Sequence, residues 1–161
     1  MYKRQIITHA SRIGKRSITA FLPENAEGTV RERALRETAG ALGIPVNIFK
    51  YGNNAESITT TVAEALTAVQ GSDSIYIPAA GGVPNLIMSN LSQSGILIQD
   101  KQILGSGLWE SINPVSTLNG ALYPARDLTK FENFATRYQG KFGVRPGAQA
   151  CLLYTSDAAD D

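Results

Sequence analysis

Two hydrophobic periods alternate along the chain. Residues 17–22 (Ser-Ile-Thr-Ala-Phe-Leu) form a short β-rich run stopped by Pro23, which predicts a buried strand. Thr29, with Glu32 three residues on, has the form of a capping box. It predicts a helix running to about Leu42, with Gly43 as its stop. Val46–Tyr51 alternates and predicts a second strand. Asn53 or Asn54 caps a helix that carries Ile58, Val62, Leu66 and Val69 on one stripe and ends at Gly71. Residues 74–77 (Ser-Ile-Tyr-Ile) read as a third strand, closed by Pro78. After the small-residue turn at 79–82, Pro84 suits the first turn of another helix. Leu86, Ile87, Met88 and Leu91 give that helix its apolar face, and Gly95 ends it. Gln102–Leu104 and residues 118–123 are the predicted fourth and fifth strands. The last helix spans about Leu128–Phe142, with Phe131, Phe134, Tyr138 and Phe142 on one side.

Strands and helices that alternate in this way imply βαβ units. The predicted fold class is α/β: a three-layer sandwich with a mainly parallel sheet of about five strands and helices on both faces. In such open sheets ligands bind beyond the carboxyl ends of the strands. Those ends carry three small or polar loops, at residues 23–28, 78–82 and 105–109. Two of the loops precede helix N-termini, whose backbone N–H groups favour anionic ligand groups. Trp109, the only tryptophan, sits in the third loop. It can form an apolar wall against a ligand or pack on the domain's own loops, and the sequence leaves both open.

Composition narrows the function classes. The chain has 161 residues, 43% hydrophobic and 18% charged, which fits one domain. Fifteen basic residues balance 14 acidic ones, so there is no nucleic-acid footprint. The apolar runs fall short of the roughly 18 residues needed to span a bilayer. A single cysteine and a single histidine argue against an internal disulfide and against a zinc site. The phosphate loop G-x-x-x-x-G-K-[S/T] and the nucleophile elbow G-x-S-x-G are both missing, and Gly105-Ser106-Gly107 is only a G-x-G. His9 reads as a surface residue. Glu24 and Glu27 lie close enough in sequence for acid–base work, but two acids in a polar loop read as solvated. The sequence therefore predicts neither catalysis nor a cofactor.

Both ends of the chain look foreign to the fold. Residues 1–5 (Met-Tyr-Lys-Arg-Gln) can be coded GTG TAT AAG AGA CAG, with GTG as a start. The reverse complement, shifted by one base, reads Cys-Leu-Leu-Tyr, which is the sequence of residues 151–154. One short DNA in two orientations thus explains both ends, and it resembles a transposon-end adaptor used in sequencing libraries. The expected division is an adaptor-like scar at 1–5, an incomplete domain at 6–150 and a second scar at 151–161. The middle segment alone has 13 basic and 11 acidic residues and no cysteine.

Several runs carry a family resemblance through residues 6–150. They are Phe21-Leu22-Pro23-Glu24-Asn25-Ala26-Glu27-Gly28, then Ser74-Ile75-Tyr76-Ile77-Pro78, then Leu104-Gly105-Ser106-Gly107-Leu108-Trp109-Glu110. Phe131-Glu132-Asn133-Phe134-Ala135-Thr136-Arg137-Tyr138, running into Lys141-Phe142-Gly143-Val144-Arg145-Pro146, completes the set. In order and spacing they resemble the leucine/isoleucine/valine-binding type of periplasmic solute-binding protein, and most of all its branch of penicillin-binding protein activators and ABC-transporter substrate-binding proteins. The resemblance implies two α/β lobes joined by a hinge, with a solute trapped between them, and it covers only the second lobe. Residues 6–16 then resemble the helix leading into that lobe, and 145–150 the start of the return toward the hinge.

On this resemblance Asn25, Glu27, Ala80, Gly81, Gly82, Ser106 and Trp109 would line half of the cleft. The implied partners are a small polar, amino-acid-like solute, the missing first lobe and the permease of an ABC importer. The alternative is an activator-type lipoprotein that regulates cell-wall synthesis by contacting a synthase. Either parent would be periplasmic. The first loop departs from the family's Ala-Tyr-Gly, having Ala26-Glu27-Gly28, and Ala79-Ala80-Gly81-Gly82 offers little to grip a ligand.

Overall fold

The computed structural model describes residues 2–111, 118–124 and 128–144. Its elements are α1 (Tyr2–Arg12), β1 (Ile18–Pro23), α2 (Ala26–Leu42), β2 (Val46–Tyr51), α3 (Ala55–Gly71), β3 (Ser74–Tyr76), α4 (Val83–Gln93), β4 (Gln102–Leu104) and α5 (Leu128–Phe142). The strands lie in the order β2-β1-β3-β4, and every pair is parallel. Ala20 of β1 is in register with Ile48 on one side and Tyr76 on the other.

Strand alternation divides the core into two layers. Ile18, Ala20 and Leu22 pack with Ile6, Ile7 and Ala10 of α1 and with Leu35 and Ala39 of α2. Phe21, Ile75 and Ile77 belong to the opposite layer, with Ile58, Val62, Ala65 and Val69 of α3 and Ile87, Met88 and Leu91 of α4. Each fully buried aliphatic side chain in these layers contributes about 2 kcal/mol through lost water contact. The predicted three-layer sandwich is thus present.

Two sequence expectations differ in detail. The described sheet has four strands, and the expected fifth is reduced to a single bridge between Leu104 and Leu122. Leu122 donates its N–H to Ile103 O and accepts that of Gly105, both at 2.8 Å. Pairing stops there because residues 118–121 make a turn, with Gly120 at φ +81 and the Ala121 N–H returning to Leu118 O. Pro124 offers no N–H to continue it.

The second difference is the start of α2. Asn25, in extended backbone, caps the helix, and its side chain accepts the Gly28 N–H at 2.8 Å. Thr29 lies inside the first turn, where its hydroxyl donates to Asn25 O at 3.2 Å. Asparagine is the stronger cap, and Gly28 lets this turn close onto β1. A Cβ at Gly28 would stand 1.8 Å from Pro23 O. Of the two candidates for α3, Asn54 is the cap. Gly43 ends α2 in the left-handed region, as expected.

At the amino edge of the sheet, Asp73 ties β1 to β3. Its carboxylate accepts the N–H groups of Arg16 and Ser17, each at 2.9 Å, and the Ser17 hydroxyl at 3.1 Å. Burial pushes the Asp73 carboxyl up, but these hydrogen bonds outweigh it and hold it below its ordinary value.

α1 runs through residues 2–5 as well as 6–12, so the helix crosses the expected boundary at residue 6. The chain divides into two units, 1–124 and 125–161. Within the second, Tyr138 and Phe142 of α5 face one another with ring centroids 4.6 Å apart. The side chains of Phe131 and Phe134, and residues 145–161, lie outside the described residues.

Candidate functional site

Because the strands are parallel, their carboxyl ends share one edge of the sheet. The loops after β1, β3 and β4 follow neighbouring strands, so the fold brings all seven predicted residues to that edge. Their side chains do different things there.

Asn25 is exposed, but its amide oxygen is committed to capping α2. Glu27, in the first turn of α2, is 58% exposed and accepts from Nε of Arg31 at 3.0 Å and from a terminal guanidinium nitrogen. Arg31 is only 7% exposed. Its guanidinium lies close enough to the phenols of Tyr76, the last residue of β3, and Tyr51, the last residue of β2, to act on their charge. Burial raises both phenols, that of Tyr51 to about 12, and the arginine opposes the rise. Arg31 was not among the predicted residues. The signal was available: with Gly28, Leu35 and Ala39 it completes the buried stripe of α2, and it stands four residues after Glu27.

The second loop is bare. Ala80, Gly81 and Gly82 are all exposed, and Gly81 has φ +63. Gly82 occupies the N-cap position of α4 with no side-chain hydrogen bond, and a proline follows in the first turn. Backbone polarity is therefore the chemistry this loop presents.

The third loop turns inward. Ser106 is 8% exposed, and its carbonyl accepts the Trp109 N–H at 2.9 Å. Trp109 is 5% exposed and belongs to the core, and its indole Nε1–H donates to Ile77 O at 3.0 Å. A Cβ on Gly105 would lie 2.3 Å from the indole ring, so glycine is what admits it. Of the two alternatives for Trp109, packing on the domain's own loops is what the geometry displays. The exposed apolar surface beside it comes from Leu108 and Tyr123, at 44% and 40%. The Tyr123 ring lies 6.3 Å from the indole, centroid to centroid. Tyr123 ends the expected fifth strand but is not among the predicted site residues.

Among the described residues, no group of three or more His, Cys, Asp or Glu could hold a metal ion. His9 is exposed on α1. An open groove of about 320 Å³ runs along α3, lined by Asn54, Glu56, Ser57, Thr60, Thr61 and Glu64, none of them among the predicted site residues.

No protein-family model matches the chain, and no curated protein does. Solved structures do match. An extracellular ligand-binding receptor from Verminephrobacter eiseniae superposes with a TM-score of 0.63 at 13% identity, over 91% of this chain and 44% of its own. An ABC transporter substrate-binding protein from Desulfitobacterium hafniense gives 0.61 at 19% identity, over 98% and 46%. The chain has the fold of one lobe of a type 1 periplasmic-binding protein. A branched-chain amino acid ABC transporter periplasmic ligand-binding protein from Burkholderia xenovorans also matches this chain, with a TM-score of 0.59 at 17% identity, over 91% and 41%. The lobe spans less than half the length of each of these proteins. No helix among its described residues is long and apolar enough to cross a membrane.

Proposed function

We propose that this lobe supplies half of a solute-binding cleft in an extracytoplasmic binding protein, and that it does no chemistry. One observation carries the reading. The loops after three parallel strands meet at one sheet edge, and there α4 opens on exposed Ala80-Gly81-Gly82 with no side-chain cap. Such a helix start favours the anionic group of a small polar solute. Leu108 and Tyr123 supply an apolar flank. Asn25, Glu27 and Ser106 stand on the same edge. Trp109 supports the loops from beneath rather than through a broad ligand contact. The parent would close its first lobe over the solute and deliver it to the permease of an ABC importer. Residues 6–150 would be its second lobe, and the two ends adaptor-derived.

The bareness of residues 80–82 favours one further reading, an activator-type lipoprotein that acts by contacting a cell-wall synthase. Assembly of the parent gene separates the two: adjacent permease and ATPase genes support transport, and cell-wall genes support the activator. On the chain itself, amide NMR titrated with small amino acids should show millimolar responses confined to residues 24–28, 79–83 and 105–109. Responses elsewhere only, or calorimetry giving sub-micromolar affinity for this half-site, would overturn the reading.

A further inference from the structure

We infer that Arg31 is a positioning residue that holds the Glu27 carboxylate at the cleft edge as a recognition point for a cationic group of the solute. The inference rests on the half-cleft reading and adds a chemical class to it. Arg31 is an odd choice for the inward stripe of α2. Gly28, Leu35 and Ala39 fill the rest of that stripe, and an uncharged residue would spare the desolvation of a guanidinium. The arginine is nevertheless buried, and two of its nitrogens donate to Glu27 on the exposed rim. On its inner side it lies near enough to the Tyr76 phenol, at the end of β3, to act on its charge. The guanidinium therefore stands between the β1–α2 turn and the strand that leads into the 78–82 loop.

Charge at this edge points the same way. Arg31 lies behind the rim, while Glu24 and Glu27 are on it and exposed. The second and third loops, through Trp109, carry no charged side chain. A solute approaching residues 24–28 thus meets carboxylates first. Glu27 is held by two guanidinium nitrogens, so its direction is fixed before the solute arrives. Across the edge, the uncapped start of α4 has the opposite polarity.

Matched three-carbon probes test this: 1,3-diaminopropane and malonate, followed by amide NMR on the 161-residue chain. Diaminopropane should shift the amides of residues 24–28, whereas malonate should act on 81–83 and leave 24–28 unmoved. Glu27→Gln should cut the diaminopropane response at 24–28 at least threefold. Arg31→Met should do the same, with Arg31→Lys restoring part of it, which a merely space-filling arginine would not require. Should Arg31→Met fail to fold, Glu27→Gln and Arg31→Lys decide. A full response in Glu27→Gln, no response to diaminopropane in the unaltered chain, or malonate moving the Glu27 and Arg31 signals would overturn the inference. In those cases a response at 81–83 leaves the half-cleft reading standing, and silence of all three loops to every probe removes both.

Discussion

The indole Nε1–H of Trp109 donates to the carbonyl oxygen of Ile77 at 3.0 Å, joining the segments that follow β4 and β3. The bond is buried, so Ile77 O has no water to fall back on. Trp109→Phe should destabilise the lobe by about 2 kcal/mol, from the lost bond and the smaller ring. Urea denaturation followed by far-UV circular dichroism measures this. An unchanged midpoint would mean that the bond does not support the loop pair.

Glycine position by position offers a sharper test. Gly105→Ala places a methyl 2.3 Å from the indole and should cost about 3 kcal/mol. Gly82→Ala meets nothing within 4 Å and sits at an ordinary φ of −83, so its change should stay within about 0.5 kcal/mol. Equal losses in the two variants would show that the third loop is not packed as described.

Asp73 gives the lobe an acid limit. Its carboxyl is held below 3.8 in the folded chain, so its contribution is complete above that value and is lost as pH falls through the lower folded value. Asp73→Asn should remove about 2 kcal/mol at neutral pH and flatten the stability profile below pH 4. Stability measured from pH 2 to 7 on both proteins checks it, and parallel profiles would count against the Asp73 tie.

Tyr51 sets the opposite limit. Its phenol is raised from 10.0 to about 12, mainly by burial. The neutral form is favoured in the folded state, so the stability it gives is present below pH 10 and is lost as pH rises toward 12. Tyr51→Phe should unfold less steeply across that interval. Alkaline titration monitored by the phenolate absorbance near 295 nm separates the variants.

Asn25→Ala should cost about 1 kcal/mol through the lost cap of α2. Thr29→Ala should cost less, since the hydroxyl only returns to Asn25 O inside a helix already begun. A larger loss at Thr29 would restore the capping box read from the sequence.

The alternation of strand and helix periods made the three layers legible, because each element buries one stripe or one face. What escaped depended on partners far away in the chain. The 118–123 run is apolar enough for a strand, but Gly120 and Pro124 leave Leu122 alone to pair with Leu104. Trp109 was undecided because the Ile77 carbonyl that takes its indole N–H becomes its neighbour only once the sheet forms. Arg31 was passed over because a stripe read by apolarity skips a charge. The edge that gathers the loops followed from topology, whereas the direction of each side chain did not.

The buried indole has a practical consequence. It is the chain's sole tryptophan, and it stands where two of the loops meet. Its intrinsic fluorescence is therefore an optical gauge of that junction, free of interference from a second fluorophore of its kind. A red shift of the emission would report the junction opening to water, with no label attached.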